Sequence, residues 1–188
     1  MNKTHLLKRG FTIVELMMVI GIMAVLATIV TTATTGAIRQ ARAHKTEAII
    51  SMIQVGLNTY YAQKGAWPGT FGSKVENGLN GNVNNDPDSY KLTDSEVDNV
   101  VGELVRESVK GGNPLLDVTG LFVCRAGSVN DKTVGMDFMD AVRGTKRHPD
   151  KILKVADMCF GYPDKETGRF RRLKIVYSIP SDSITVSK

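Results

Sequence analysis

The stretch Lys8-Arg9-Gly10-Phe11-Thr12-Ile13-Val14-Glu15-Leu16-Met17 decides the architecture of this chain. Before it lies a short basic leader, with Lys3, Lys8 and Arg9 and no acid. After it comes an apolar run over residues 11–30 in which Glu15 carries the only charge. A helix of about 20 residues at 1.5 Å rise spans about 30 Å, the thickness of a bilayer's hydrocarbon core. A carboxylate in hydrocarbon is costly, and the default expectation is that it works there and has a partner. The basic leader predicts a cytoplasmic N-terminus, with the rest of the chain on the other side.

Two plainer readings compete. A secretory signal peptide shares the charged start and the apolar stretch, and Val25-Leu26-Ala27 is a passable cleavage site. Its apolar region is usually about 7–15 residues long, however, and a central acid opposes simple insertion by roughly 2.5–3.5 kcal/mol. A plain membrane anchor has no use for Glu15 either. A basic pair, a glycine, an apolar residue and an acid in fixed register before a membrane-length run favour a third reading.

This decapeptide resembles the processing signature of type IV pilins and of the pseudopilins of type II secretion. The resemblance implies that a prepilin peptidase cuts after Gly10 and methylates the new amino terminus on Phe11. It also implies that Glu15 meets the N-terminal ammonium of a neighbouring subunit, so that two charges cancel during assembly. Opposite charges attract far more strongly at low dielectric than in water, and removing one partner strands the other. The implied partners are the prepilin peptidase, identical and related pilin subunits, an assembly platform in the inner membrane, and membrane lipid. The implied function is a structural subunit of a type II secretion pseudopilus, polymerised through its N-terminal helix to support protein secretion. The alternative is a type IV pilus subunit, major or minor, for adhesion, motility or DNA uptake. Either would be a single-pass inner-membrane protein with its C-terminal domain in the periplasm, its filament periplasmic or extracellular.

Working outward, the expected organisation is a leader at residues 1–10, a transmembrane and filament-core helix at 11–30, an amphipathic continuation at 31–64, and a globular periplasmic domain at 65–188. Ile38, Ala41, Lys45, Ala48/Ile49, Met52/Ile53, Gly56 and Tyr60 recur at helical steps, apolar except for Lys45. No proline interrupts residues 1–66. Thr28, Thr31, Thr32, Thr34, Thr35 and Gly36 form a patch of poor helix formers. Relatives often carry a proline there, where the helix loosens in the filament; this chain lacks it, and the Thr/Gly patch is expected to take its part. Tyr60 to Gly69, with Gly65-Ala66-Trp67-Pro68 at its centre, resembles the pseudopilin segment that ends the helix and opens the domain. Gly65 suits a helix stop, Pro68 prevents resumption, and Trp67 reads as a core anchor at this junction.

Residues 69–92 read as an extended loop. Asn84, Asn85, Asp86 and Asp88 gather oxygen donors of the kind calcium takes, but without a calcium-loop spacing, and ordinary Asx turns account for them. No cofactor is expected; calcium is the lesser reading. Thr93-x-x-Glu96 is a capping box ahead of a helical apolar face, which predicts a helix over about 94–110. Residues 115–124 read as short apolar stretches around Gly120, as in a hairpin. Residues 157–162 and 172–179 read as strands paired across a turn at 163–168, and residues 184–186 as a short last strand. The fold class is therefore α+β: a long N-terminal helix, transmembrane in its first half, packed on a small antiparallel sheet domain, pilin-like.

Composition narrows the partners. The net charge is +5, of which Lys3, Lys8 and Arg9 would leave with the leader. The remainder is too mild to argue for nucleic acid. Arg169, Phe170, Arg171, Arg172 and Lys174 form a cationic stripe, better read as a solvated sheet edge than as a DNA contact. Cys124 and Cys159 lie in the part expected to be outside, where disulfides form, and the sequence leaves pairing and two free buried thiols equally open. His5, His44 and His148 sit in no recognisable catalytic arrangement, and no phosphate loop or metal-ligand spacing appears. A non-enzymatic subunit without a metal site is expected.

Overall fold

Helix α1 starts directly after Thr12 and runs as Ile13–Lys64. The computed structural model describes residues 11–79, 88–110, 115–127, 129–130, 132–143 and 153–188. The chain divides into two compact units, Met1–Gln40 and Ala41–Lys188, and α1 contributes to both. In the first unit the large apolar side chains of residues 11–30 are all exposed, from 46% at Val19 to 82% at Phe11. Among the described residues this is the one helix long and apolar enough to cross a membrane. An all-round apolar helix with nothing of its own chain over it belongs in lipid or among other helices. The hydroxyls of Thr28, Thr31 and Thr34 donate to the carbonyls of Val25, Ala27 and Val30 at 2.7–2.8 Å, so these polar groups need no water. The Thr/Gly patch is α-helical in this protomer.

In the second unit α1 turns one side inward. Thr46, Ile49, Ile53 and Leu57 are buried, at steps of three and four. Ala41 and Ala48, which the apolar stripe placed on the inner face, are exposed instead. The polar Thr46 takes the inner position because its hydroxyl donates to Arg42 O at 2.9 Å and to Pro163 O at 3.1 Å, leaving no buried group unpaired. Lys45 stays at the rim, hydrogen-bonded to Asp137 and 5.4 Å from the Phe122 ring centroid, a cation–π distance. The helix stops at Gly65, whose φ of 69° and N–H bond to Tyr61 O at 2.8 Å make a left-handed cap that only glycine adopts without cost.

Beyond the cap, α2 (Gly69–Glu76) replaces the first part of the expected loop, β1 (Ser89–Lys91) ends it, and α3 (Asp94–Lys110) follows its capping box. Phe71 explains α2: its ring is fully buried and stacks 6.0 Å from Tyr90, a contact that composition does not reveal. Gly120 lies in a 3-10 turn, Val118–Gly120, rather than in a hairpin, and the strand after it is β2 (Phe122–Arg125). The remaining elements are β3 (Met136–Asp137), α4 (Phe138–Arg143), β4 (Met158–Pro163), β5 (Phe170–Arg172), β6 (Lys174–Ser178) and β7 (Ser183–Ser187).

These strands make two small antiparallel sheets where the sequence suggested one, in the orders β1-β6-β7 and β3-β2-β4-β5. Leu173, buried between β5 and β6, is the point where the chain changes sheet. Period-two alternation reports which face a residue takes, not which strand is its neighbour, so the split was invisible in the pattern. The inner half of α1, α2, α3 and both sheets share one apolar core.

One contact ties α1 to the sheet edge. β7 is an edge strand, and the Gln54 side-chain amide donates to Ile184 O at 2.6 Å and accepts from Val186 N–H at 2.9 Å. The amide stands where the peptide of a further strand would, which closes the edge to strand addition. Gln54→Leu should therefore lower domain stability by about 1–3 kcal/mol, since it strands both backbone groups. An unchanged thermal midpoint in detergent-solubilised protein would refute this role.

Candidate assembly site

The site is built from the first turn of α1. Thr12 N–H and Thr12 Oγ1 both donate to Glu15 Oε2 at 2.9 Å, and Glu15 N–H donates back to Thr12 Oγ1 at 3.2 Å. This is a reciprocal capping box, the arrangement that also starts α3, where Thr93 N–H and Oγ1 donate to Glu96 Oε2 at 2.7 and 2.9 Å. Sequence reasoning recognised the second box and passed over the first. The signal, Thr-x-x-Glu before an apolar run, was the same in both places.

Glu15 thus does two jobs that its position makes compatible. Its carboxylate satisfies helix-start donors that hydrocarbon would leave unpaired, and it places negative charge at the positive end of the helix. It remains exposed at the side of an apolar cylinder, with Phe11 four residues away in sequence and 82% exposed. The carboxylate is held locally yet open to a second donor. Gly10 and the rest of the leader lie outside the described residues.

The other candidate residues fall elsewhere. Trp67 is 5% exposed, as a junction anchor should be, stacked on Tyr61 at 4.4 Å between centroids. Its indole N–H donates to Asp182 Oδ1 at 3.0 Å, Tyr177 O–H donates to the same oxygen at 2.8 Å, and Tyr61 O–H donates to Asp182 Oδ2. Asp182 takes a φ of 43°, a turn conformation open to aspartate, and this clasp had no sequence signal. Tyr61 first, then Trp67 and Tyr177, hold its carboxyl below the ordinary carboxylate range.

The cationic stripe does not form one surface. Phe170 is buried, Arg172 bonds Asp98 at 3.0 Å and Asp94 at 3.2 Å, and Arg171 approaches Asp164 at 3.8 Å, all on the edge strand β5. The Asp164–Gly168 segment is a hairpin turn, closed by Gly168 N–H donating to Asp164 O at 2.8 Å. Of the cluster weighed for calcium, Asn84, Asn85 and Asp86 lie outside the described residues. Cys124 and Cys159 are both buried free thiols here, opposed across β2 and β4.

Comparison with known families agrees with this geometry at the N-terminus. Residues 7–31 match the family described as the prokaryotic N-terminal methylation motif. The chain carries the prepilin-type signature of type IV pilins and pseudopilins, on a long helix followed by antiparallel sheets. The motif implies processing by a prepilin peptidase and assembly with other pilin subunits, and it points to a structural subunit anchored in a membrane. Neither the curated proteins nor the solved structures compared with the chain give a match.

Proposed function

We propose that this protein is a subunit of a type II secretion pseudopilus. It is made as a single-pass inner-membrane precursor with its domain in the periplasm, trimmed after Gly10 and methylated on Phe11. Subunits then join at an inner-membrane platform through residues 11–64. Before assembly, Thr12 keeps the Glu15 carboxylate hydrogen-bonded within its own helix. On assembly, the ammonium of a neighbour's Phe11 approaches the open side of that carboxylate. The charge pair offsets the cost of holding both ions away from water, and only a correct axial stagger brings them together.

The observation that carries this reading is a lone acid in the uncovered apolar run of residues 11–30, inside a matched methylation motif. The Gly65-Ala66-Trp67-Pro68 junction favours the pseudopilus over a type IV pilus, the second reading. Loss of secreted enzymes on deletion supports the pseudopilus, whereas filaments displayed on the cell surface support the pilus. Mass spectrometry of the mature chain should find an N-terminus at Phe11 carrying one methyl group. A start near Thr28 would mark an ordinary exported domain and end the proposal.

A further inference from the structure

Cys124 and Cys159 are direct partners in the β2–β4 ladder. Two residues further along, Ala126 N–H donates to Asp157 O at 2.8 Å, so that opposed pair is a hydrogen-bonded one. Pair types alternate along an antiparallel ladder, which makes 124–159 a hydrogen-bonded pair too, with Cα atoms about 5.5 Å apart. Disulfides need Cα separations of about 4.4–6.8 Å. Directly opposed residues also project to the same face of the sheet. β2 and β4 are the two inner strands of their sheet, and the residues are 2% and 0% exposed.

From this geometry we infer that Cys124 and Cys159 are joined by a disulfide in the exported protein. The inference rests on the proposed periplasmic placement of the domain, because a reducing compartment would keep the thiols apart. A shared metal ion is the competing use of two close thiols. It is disfavoured here because Arg172 Nη2 donates to Cys159 Sγ at 3.1 Å, placing a cation, itself held by Asp98, where a metal would have to sit.

The fold also sets when the bond forms. Burial pushes the Cys124 thiol up to about 12 and raises that of Cys159, so the folded dithiol holds almost no thiolate, the attacking species. Both sulfurs are closed to a protein oxidant once β2 and β4 have paired. The bond therefore forms during export, before the sheet closes. One cysteine thiolate attacks a sulfur of a protein disulfide donor, giving a mixed disulfide. The second cysteine displaces the donor and completes the Cys124–Cys159 bond. The donor leaves as a dithiol, having taken two electrons and two protons.

The test is a thiol count on the full-length protein, extracted from acid-quenched cells and denatured. A polymer-tagged maleimide should add nothing before reduction and two labels after it. Two labels without reductant overturn the proposal. A second arm then tells why: the purified full-length chain is reduced, denatured and refolded in a glutathione redox buffer. Disulfide formation there, with free thiols in cells, overturns the proposal through the compartment. Free thiols in both arms overturn it through the geometry.

Discussion

Glu15→Ala should enter the membrane normally and build almost no filament. Removing the carboxylate makes residues 11–30 uniformly uncharged, so insertion becomes easier, not harder. Assembly is different, because in the proposed function each added subunit brings an N-terminal ammonium into a low-dielectric layer. With no carboxylate beside it, that ion is the stranded member of a broken pair, the expensive case. The polymer recovered should fall by about 100-fold or more, with membrane-bound monomer undiminished. Glu15→Val should behave alike. Glu15→Gln retains hydrogen-bonding capacity toward Thr12 but has no charge for the ammonium, so it separates capping from pairing. Thr12→Val tests the other half, since it removes the hydroxyl that donates to Glu15 and accepts from its N–H while leaving the charge in place. It should weaken assembly less than any change at Glu15. Filaments of normal yield from the Ala or Val variants would contradict charge pairing.

The second large effect is expected at Asp182. One carboxylate accepts from Tyr61 at the end of α1, from Trp67 at the junction and from Tyr177 on β6. Trp67 and Tyr177 are buried, at 5% and 4% exposure, so Asp182→Ala leaves two buried donors without an acceptor. Each unsatisfied donor costs about 1–3 kcal/mol, which puts the loss near 2–6 kcal/mol and the fall in Tm at about 5–20 °C. Asp182→Asn keeps an acceptor and tolerates the positive φ, and should lose about half as much. Asp182→Gly relieves the backbone and keeps no acceptor, so it should resemble Ala if the hydrogen bonds dominate. The sole tryptophan sits in the clasp, and its fluorescence reads the transition directly in detergent-solubilised protein.

The same carboxylate predicts an acid limit. Its folded pKa lies below the ordinary value of 3.8, so the unfolded chain binds the proton more readily. Its contribution is therefore complete above that value and is lost as pH falls through the lower folded pKa. The gap between wild type and Asp182→Asn should narrow from about pH 4 downward. A gap that stays constant to about pH 2 would show that the charge contributes nothing.

Much of this protein was legible because its signals are local. Helix α1 ends at Lys64 and α3 runs Asp94–Lys110, as glycine, proline and the Thr93 box indicated. Cap chemistry acts within one turn, so a few adjacent residues suffice to announce it. The Thr12 box is just as local, but an acid in an apolar run also reads as the partner of another subunit's ammonium, and that reading masks its bond to the residue three places earlier. The Asp182 clasp joins positions 61, 67, 177 and 182, and no pattern along the chain links them. The cationic stripe lies on the edge strand β5, as its reading as a sheet edge expected. Its division was not legible for a related reason: strand alternation turns Phe170 inward, while α3 supplies Asp94 and Asp98 to Arg172.

By itself the sequence determined the membrane-length apolar run, its single acid, the methylation motif over residues 7–31, and the ends of the two main helices. Each of these is written in neighbours on the chain. Only the tertiary structure decided the division into two sheets, the seal of Gln54 on β7, the opposition of Cys124 to Cys159 and the carboxylate that gathers Tyr61, Trp67 and Tyr177. Those depend on which strands pair and in which register, and strand pairing is settled by packing between residues far apart in sequence.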